Sequence, residues 1–429
     1  MARLDDPDRL SADDARILGV ESAAIAGHTL KLNVLEAGDP LDLDALRAAV
    51  AKRLPSQPRA TQRVDTSGPE PRWVQATDFD IREHVRRQTT SCVSRADLWR
   101  IVSGLMSEHL DRSKPLWTFD VIGPLEDGRE AIAVRIHHAM CDGIAGVRFL
   151  DAVLWDAHPD APAAAGARPG VHSDEPSGLT EARRLPGAVI RELGHPNERS
   201  PFDRPITIAR ELAFTVAPLS EVKAIGASRP VRATVNDVLL AVITGGLRTW
   251  LGEAGTLVHH LNAQIPVSLY HRDEDATDLG NRDSFMNVDL PLAETDPLVR
   301  LDRIRAETGE RKRLDDAEEM YDLFHALGRV KHLGSAAQRI SKSAREFSVS
   351  ISNVPGPRVP VGVAGRGVQH LFSSSEPAAH HALRISAISC AGDLGIGLCT
   401  DPGALPDVAG LADAIETAYV ELRTAAKAI

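Results

Sequence analysis

No apolar stretch of this 429-residue chain approaches the ~20 residues that cross a bilayer. The longest runs, such as Val238 to Thr244, stop well short, so no transmembrane span is expected. Basic charge is also scarce: 49 Lys and Arg stand against 60 Asp and Glu, a formal net charge of −11. A nucleic-acid binder would carry a basic excess or a clustered basic stripe, so no nucleic-acid partner is expected. The N-terminus, MARLDDPDRL, lacks the apolar core of a secretory signal, and a cytoplasmic protein is expected. Cysteine is rare too. Cys92, Cys141, Cys390 and Cys399 stand far apart with no CxxC pair, which excludes a disulfide framework and a zinc finger.

Catalytic signatures are missing in the same way. There is no G-x-S-x-G elbow for a serine hydrolase and no G-x-x-x-x-G-K-[ST] phosphate loop. Gly395-Ile396-Gly397 lacks the third glycine of a dinucleotide fingerprint, and no HExxH supports a zinc site, so no metal is expected. The pairs His259-His260 and His380-His381 would suit a membrane oxygenase only if membrane helices carried them; they read as incidental.

What remains is the composition of a folded protein, 43% apolar and 25% charged. Its length suggests two domains. The clearest break runs from Asp156 to Pro205, which holds 8 of the 27 prolines and the tract APAAAGARPG. Such sequence buries too little apolar surface to repay ordering, so it reads as a linker between residues 1–155 and 206–429. Both parts mix helix and strand periods. Leu43, Leu46, Val50 and Leu54 recur at helical spacing, as do Leu98, Ile101, Val102, Leu105 and Met106. Ile132, Val134 and Ile136 alternate as a strand, and helical spacing resumes from Gly143. Thr234 and Asp237 form a capping box before an apolar helix. Asp296-Pro297 starts another helix. Val349 with Ile351, and Leu394, Ile396 and Leu398, alternate as strands. The chain is predicted to be α/β in two parts.

The sharpest constellation is His137-His138-Ala139-Met140-Cys141-Asp142-Gly143, at a strand end and just before a helix. Histidine titrates near neutrality and can take a proton from an alcohol or amine. An Asp four residues on, closed by Gly143, can fix the loop. On spacing alone the segment fits equally well a polar loop with two incidental histidines. Without an obvious nucleophile, direct transfer between two bound substrates is the natural remaining class; Cys141 reads as a small filler rather than an acyl carrier.

These residues resemble a known family. HHAMCDG is similar to the HHxxxDG signature of coenzyme A-dependent acyltransferases, and within them the chain resembles the bacterial wax ester synthase/diacylglycerol acyltransferases. LDRSKPLW (Leu110 to Trp117), Thr234-Val235-Asn236-Asp237, Gly280-Asn281-Arg282 with Leu290-Pro291, and Ser352-Asn353-Val354-Pro355-Gly356-Pro357 carry the resemblance over nearly the whole length. It implies two chloramphenicol acetyltransferase-like sandwiches joined by a crossover linker, with the site at their interface. It implies long-chain acyl transfer from acyl-CoA, as co-substrate with no other cofactor, to diacylglycerol or a fatty alcohol.

The resemblance implies roles as well. His138 would be the general base, His137 would support the loop, Asp142 would hold the motif and Gly143 would permit its turn. Asn236 would donate to the thioester oxyanion, although helix capping explains Asn236 and Asp237 as well. Pro115, Leu116 and Trp117, and Asn353, Pro355 and Gly356, would border the substrates, or simply form core and a rigid turn. Contact with membranes or lipid inclusions would be peripheral, and at −11 it would be apolar rather than electrostatic. Thr118 stands where many relatives carry an acidic residue, and His380-His381 falls where they carry small or apolar ones. Two other readings stay open: an acyltransferase for a non-lipid or carrier-bound acceptor, and a non-catalytic acyl-CoA- or lipid-binding relative.

Overall fold

The computed structural model describes residues 8–89, 92–157, 200–268, 283–313 and 347–428. Two mixed sheets carry the fold. The first runs in the order β4 (Val85–Arg87), β5 (Trp117–Ile122), β6 (Ala131–His137), β1 (His28–Leu35), β13 (Arg366–Ser375), β12 (Val361–Val363) and β7 (Asp156–Ala157). The second runs β10 (Asp283–Pro291), β9 (His260–Ser268), β11 (Val349–Val354), β14 (Leu383–Cys390), β15 (Asp393–Thr400) and β8 (Glu211–Pro218). A two-stranded ribbon, β2 (Gln62–Asp65) with β3 (Arg72–Gln75), stands apart.

In β6 the alternation has a plain cause. Ile132, Val134 and Ile136 enter a core with Trp117, Phe119 and Phe149, contributed by β5 and the helix Gly143–Val153. Ala131 and Ala133 point the other way, where the helix Arg95–Met106 packs Val102, Leu105 and Met106 over them. Both faces are covered, so the strand is buried throughout. In the second half, the helices Val235–Glu253 and Val408–Lys427 cover one face of the second sheet. Leu240, Ile243 and Leu247 are fully buried there, each worth about 1.5–3 kcal/mol by transfer. The expected capping box is present: Thr234 accepts from the Asp237 amide at 3.2 Å, and Asp237 accepts from the Thr234 amide at 2.7 Å. Asp296 likewise caps the helix Pro297–Arg313 through the amides of Leu298 and Val299.

The two halves are interleaved. β12 and β13, from the C-terminal half, pair into the first sheet, with Lys31 opposite Ser373 and Asn33 opposite Leu371. Buried Glu130 bridges Arg87 and Arg366 at 2.7 Å each. Gly395 and Gly397 explain how closely β13 lies on the second sheet: a Cβ there would stand 2.1 Å from the Leu371 carbonyl and 2.2 Å from the Ser373 carbonyl. The Gly-Ile-Gly triplet is a packing device between strands.

Of the stretch from Asp156 to Pro205, Asp156 and Ala157 pair with β12, and Phe202 is buried beside the second sheet. Residues 158–199 lie outside the described residues, as do Gly280, Asn281 and Arg282. All four cysteines are free.

Candidate active site at the seam between the sheets

β6 ends at His137, and Asp142 caps the helix Gly143–Val153 by accepting the Ala145 amide at 2.7 Å. The five residues between strand and helix form a tight loop, closed by the amides of Met140 and Cys141 on the His137 carbonyl at 2.9 and 3.3 Å. The PLW element lies under it. The His137 amide donates to the Leu116 carbonyl at 2.9 Å. Trp117 Nε1 donates to the Ala60 carbonyl at 2.9 Å, and its ring lies 4.6 Å from that of His84 and 4.8 Å from that of Phe119. Pro115, Leu116 and Trp117 are all buried, and they support the loop from its core side. Thr118 donates to the buried Asp120 at 2.9 Å.

His138 is half-buried on the loop, and its amide donates to the Gly27 carbonyl at 2.8 Å. Burial, then the positive charges of Arg384 and Lys31, hold its imidazolium pKa down at about 4. Its ring is therefore neutral at physiological pH and able to accept a proton. Lys31 is 2% exposed on β1; burial lowers its ammonium to about 8, and the charge of Asp142 works against that shift. Burial drives the Cys141 thiol far up, which favours the protonated thiol near neutrality.

The SNVPGP element meets the loop directly. A Cβ at Gly143 would lie 2.9 Å from Val354 Cγ2, so glycine is what lets β11's end close on the helix start. Asn353 is half-buried at that strand end and Pro355 is exposed; the Gly356 amide donates to Ser389 Oγ at 3.3 Å. On β11 and β14, Val349, Ile351, Leu383 and Ile385 enter the core of the second half. Alternation turns Ser350, Ser352, Arg384 and Ser386 toward the first sheet, with Ser352 3.3 Å from Ser386. The loop therefore sits at a seam with a polar wall.

Asn236 is half-buried in the first turn of the helix Val235–Glu253. Its neighbour Asp237 is consumed by the cap and by Thr308, which donates to it at 2.6 Å. Among the described residues, no hydrogen bond joins Asn236 to the His137–Gly143 loop. Motif reading missed Lys31, Arg384, Glu21, Gly27 and Glu376. Only Lys31 left a local signal, a lysine on the inward face of a buried strand.

The fold, two mixed sheets that meet at this loop, is shared with condensation domains. The first condensation domain of the calcium-dependent antibiotic synthetase superposes with a TM-score of 0.62 at 14% identity, over 98% of this chain and 96% of its own. The wax ester synthase/diacylglycerol acyltransferase from Marinobacter aquaeolei VT8 superposes with a TM-score of 0.73 at 22% identity, over 98% and 100%. The wax ester synthase/diacylglycerol acyltransferase catalytic domain matches residues 10–195, and the C-terminal domain of the same family matches residues 279–423. A Mycobacterium tuberculosis (strain ATCC 25618 / H37Rv) protein named "Probable diacyglycerol O-acyltransferase" is 28% identical over 91% of this chain and 90% of its own. Another protein of that strain, also bearing a diacyglycerol O-acyltransferase name, is 30% identical over 94% and 88%. The chain belongs to the wax ester synthase/diacylglycerol acyltransferase family and is an acyltransferase.

Proposed function

We propose that this enzyme transfers a long-chain fatty acyl group from acyl-CoA to diacylglycerol or a long-chain alcohol, with both substrates bound together. His138 accepts the acceptor hydroxyl proton as the oxygen attacks the thioester carbonyl. The tetrahedral intermediate then expels the coenzyme A sulfur, and the imidazolium returns the proton to that thiolate. With a pKa near 4, His138 is a weak base. It acts in concert with attack rather than by deprotonating the alcohol beforehand.

The observation that carries this reading is a neutral, half-buried histidine held at the junction of HHAMCDG and SNVPGP. Asp142 and Gly143 shape the loop; Pro115, Leu116 and Trp117 brace it; Asn353, Pro355 and Gly356 border the acceptor side. For Asn236 we assign oxyanion donation only if substrate brings it to the thioester. The working division keeps residues 1–155 and 206–429 as the two halves that flank the site.

Among the described residues, no helix is long and apolar enough to cross a membrane. With a formal charge of −11, contact with membranes or lipid inclusions is peripheral and apolar. The test is an acceptor screen with palmitoyl-CoA, measuring coenzyme A release with diacylglycerols, fatty alcohols, short alcohols and carrier-bound amines. Release driven by the two lipid acceptors is expected. Preference for a short alcohol or a carrier-bound amine, or acyl-CoA binding with no release, would replace this reading.

A further inference from the structure

The segment before β1 holds the histidine pair from below, and it contains a carboxylate that no motif includes. His137 is 1% exposed, and its Nδ1 accepts the Ala139 amide at 3.1 Å. A backbone N–H can only donate, so Nδ1 carries no proton and the neutral ring bears its hydrogen on Nε2. That nitrogen lies 3.2 Å from Glu21 Oε2. Arg112 donates to the same oxygen from Nε at 2.8 Å and anchors itself on the Leu18 carbonyl at 3.0 Å. These donors hold the Glu21 carboxyl below its usual range although burial opposes them.

The approach of ring and carboxylate passes over Gly27. Its φ is +75°, and a Cβ there would stand 2.5 Å from His137 Nε2, so only glycine leaves the path open. The Gly27 carbonyl in turn receives the His138 amide. The Ala26 and Gly27 amides are held by Glu376 at 3.1 and 2.6 Å. The His137 ring and the His138 backbone are thus fixed by the same seven residues, 21–27.

We propose that Glu21 is a positioning residue: by accepting the Nε2–H of His137 it selects one tautomer, keeps Nδ1 free to take the Ala139 amide, and thereby sets where the loop presents His138. This rests on the general-base reading of His138. The tautomer itself does not, and it can be measured apart from activity.

The test compares Glu21→Gln, Glu21→Asp and Glu21→Ala by nitrogen-15 NMR of labelled histidine and by steady-state kinetics. Gln keeps an acceptor oxygen in place but loses the charge. Asp keeps the charge but withdraws the oxygen by one carbon–carbon bond, about 1.5 Å. If the acceptor matters, Gln retains the Nε2–H tautomer of His137 and most of kcat. Asp and Ala then lose the single tautomer, and kcat falls about tenfold or more, since misplacing a reacting group by about 1 Å can cost about a hundredfold. KM for acyl-CoA stays near wild type in all three. Asp outperforming Gln would overturn the proposal, because charge rather than tautomer selection would then be the cause. An unchanged His137 tautomer in the Ala variant would overturn it as well. Should Ala fail to fold, the ranking of Gln and Asp still decides. Should His138→Ala retain turnover, the general-base reading fails, while the His137 spectrum still reports on Glu21.

Discussion

Gly143→Ala probes the contact that brings the two motif elements together. The added Cβ would lie 2.9 Å from Val354 Cγ2, against the ~3.5–4.0 Å of ordinary carbon contact. Val354 is half-buried at the end of β11, so relief turns its side chain off its rotamer or moves that strand end or the loop carrying His138. Overpacking of this kind costs about 1–3 kcal/mol. Alanine recovers up to about 1 kcal/mol over glycine in a helix. With that recovery, a net loss of up to about 2 kcal/mol is expected, with a larger relative loss of turnover, because the displaced loop positions the base. Val354→Ala alone should cost about 1 kcal/mol, as a half-buried truncation. In the double variant the offending methyl is gone, so stability should exceed the additive value by about 1 kcal/mol, and turnover should largely return. Denaturant unfolding and coenzyme A release on the four proteins measure both quantities. Additivity within about 0.5 kcal/mol would refute the contact.

Other outcomes follow from the same geometry. His138 stays neutral until pH approaches 4, so the acid limb of kcat should lie well below the 6.5 of free imidazole; an acid limb near 6.5 would show that the base is solvated. His28 is 2% exposed, both its ring nitrogens lack a hydrogen-bond partner among the described residues, and burial holds its pKa well below 6.5. Histidines depressed in this way contribute stability above pH 6.5 that is lost as the pH falls toward their folded values. His28→Leu should therefore flatten that acid loss and stabilise the protein by about 1 kcal/mol at pH 7, since it removes an unsatisfied buried group; an equally steep acid decline in the variant would contradict it. Gly397→Val drives a side chain into the Ser373 carbonyl, and insoluble or unfolded protein is expected on expression. Trp117→Phe loses the bond to the Ala60 carbonyl; thermal unfolding should show a cost of about 1–3 kcal/mol, with kcat little changed at temperatures where the variant stays folded.

Local features of the fold were legible because their causes are local. Thr234 and Asp237 announced a cap, Asp296-Pro297 a helix start, and the spacing of Ile132, Val134 and Ile136 a strand, and each stands where its period placed it. The pairing of β13 with β1 was not legible, because it joins residues more than 300 positions apart and no short-range pattern encodes such a partner. Gly395 and Gly397 were visible but their purpose was not, since the carbonyls they admit belong to another strand. At the site, HHAMCDG was readable as a strand-end loop. Glu21 and Glu376 were not, being ordinary acidic residues until folding brings them to His137 and Gly27.

The central claim is that His138 takes the acceptor's proton. A positioned general base contributes ~10²–10⁴-fold, or about 3–5 kcal/mol of barrier. Burial raises the Cys141 thiol, which disfavours a thiolate nucleophile there. The most direct measurement is single-turnover and steady-state coenzyme A release by His138→Ala with palmitoyl-CoA and a saturating lipid acceptor, alongside acyl-CoA affinity and thermal unfolding. The account requires turnover at least about a hundredfold below wild type, with acyl-CoA affinity and melting temperature nearly unchanged. A folded His138→Ala enzyme retaining more than about a tenth of wild-type turnover would contradict it.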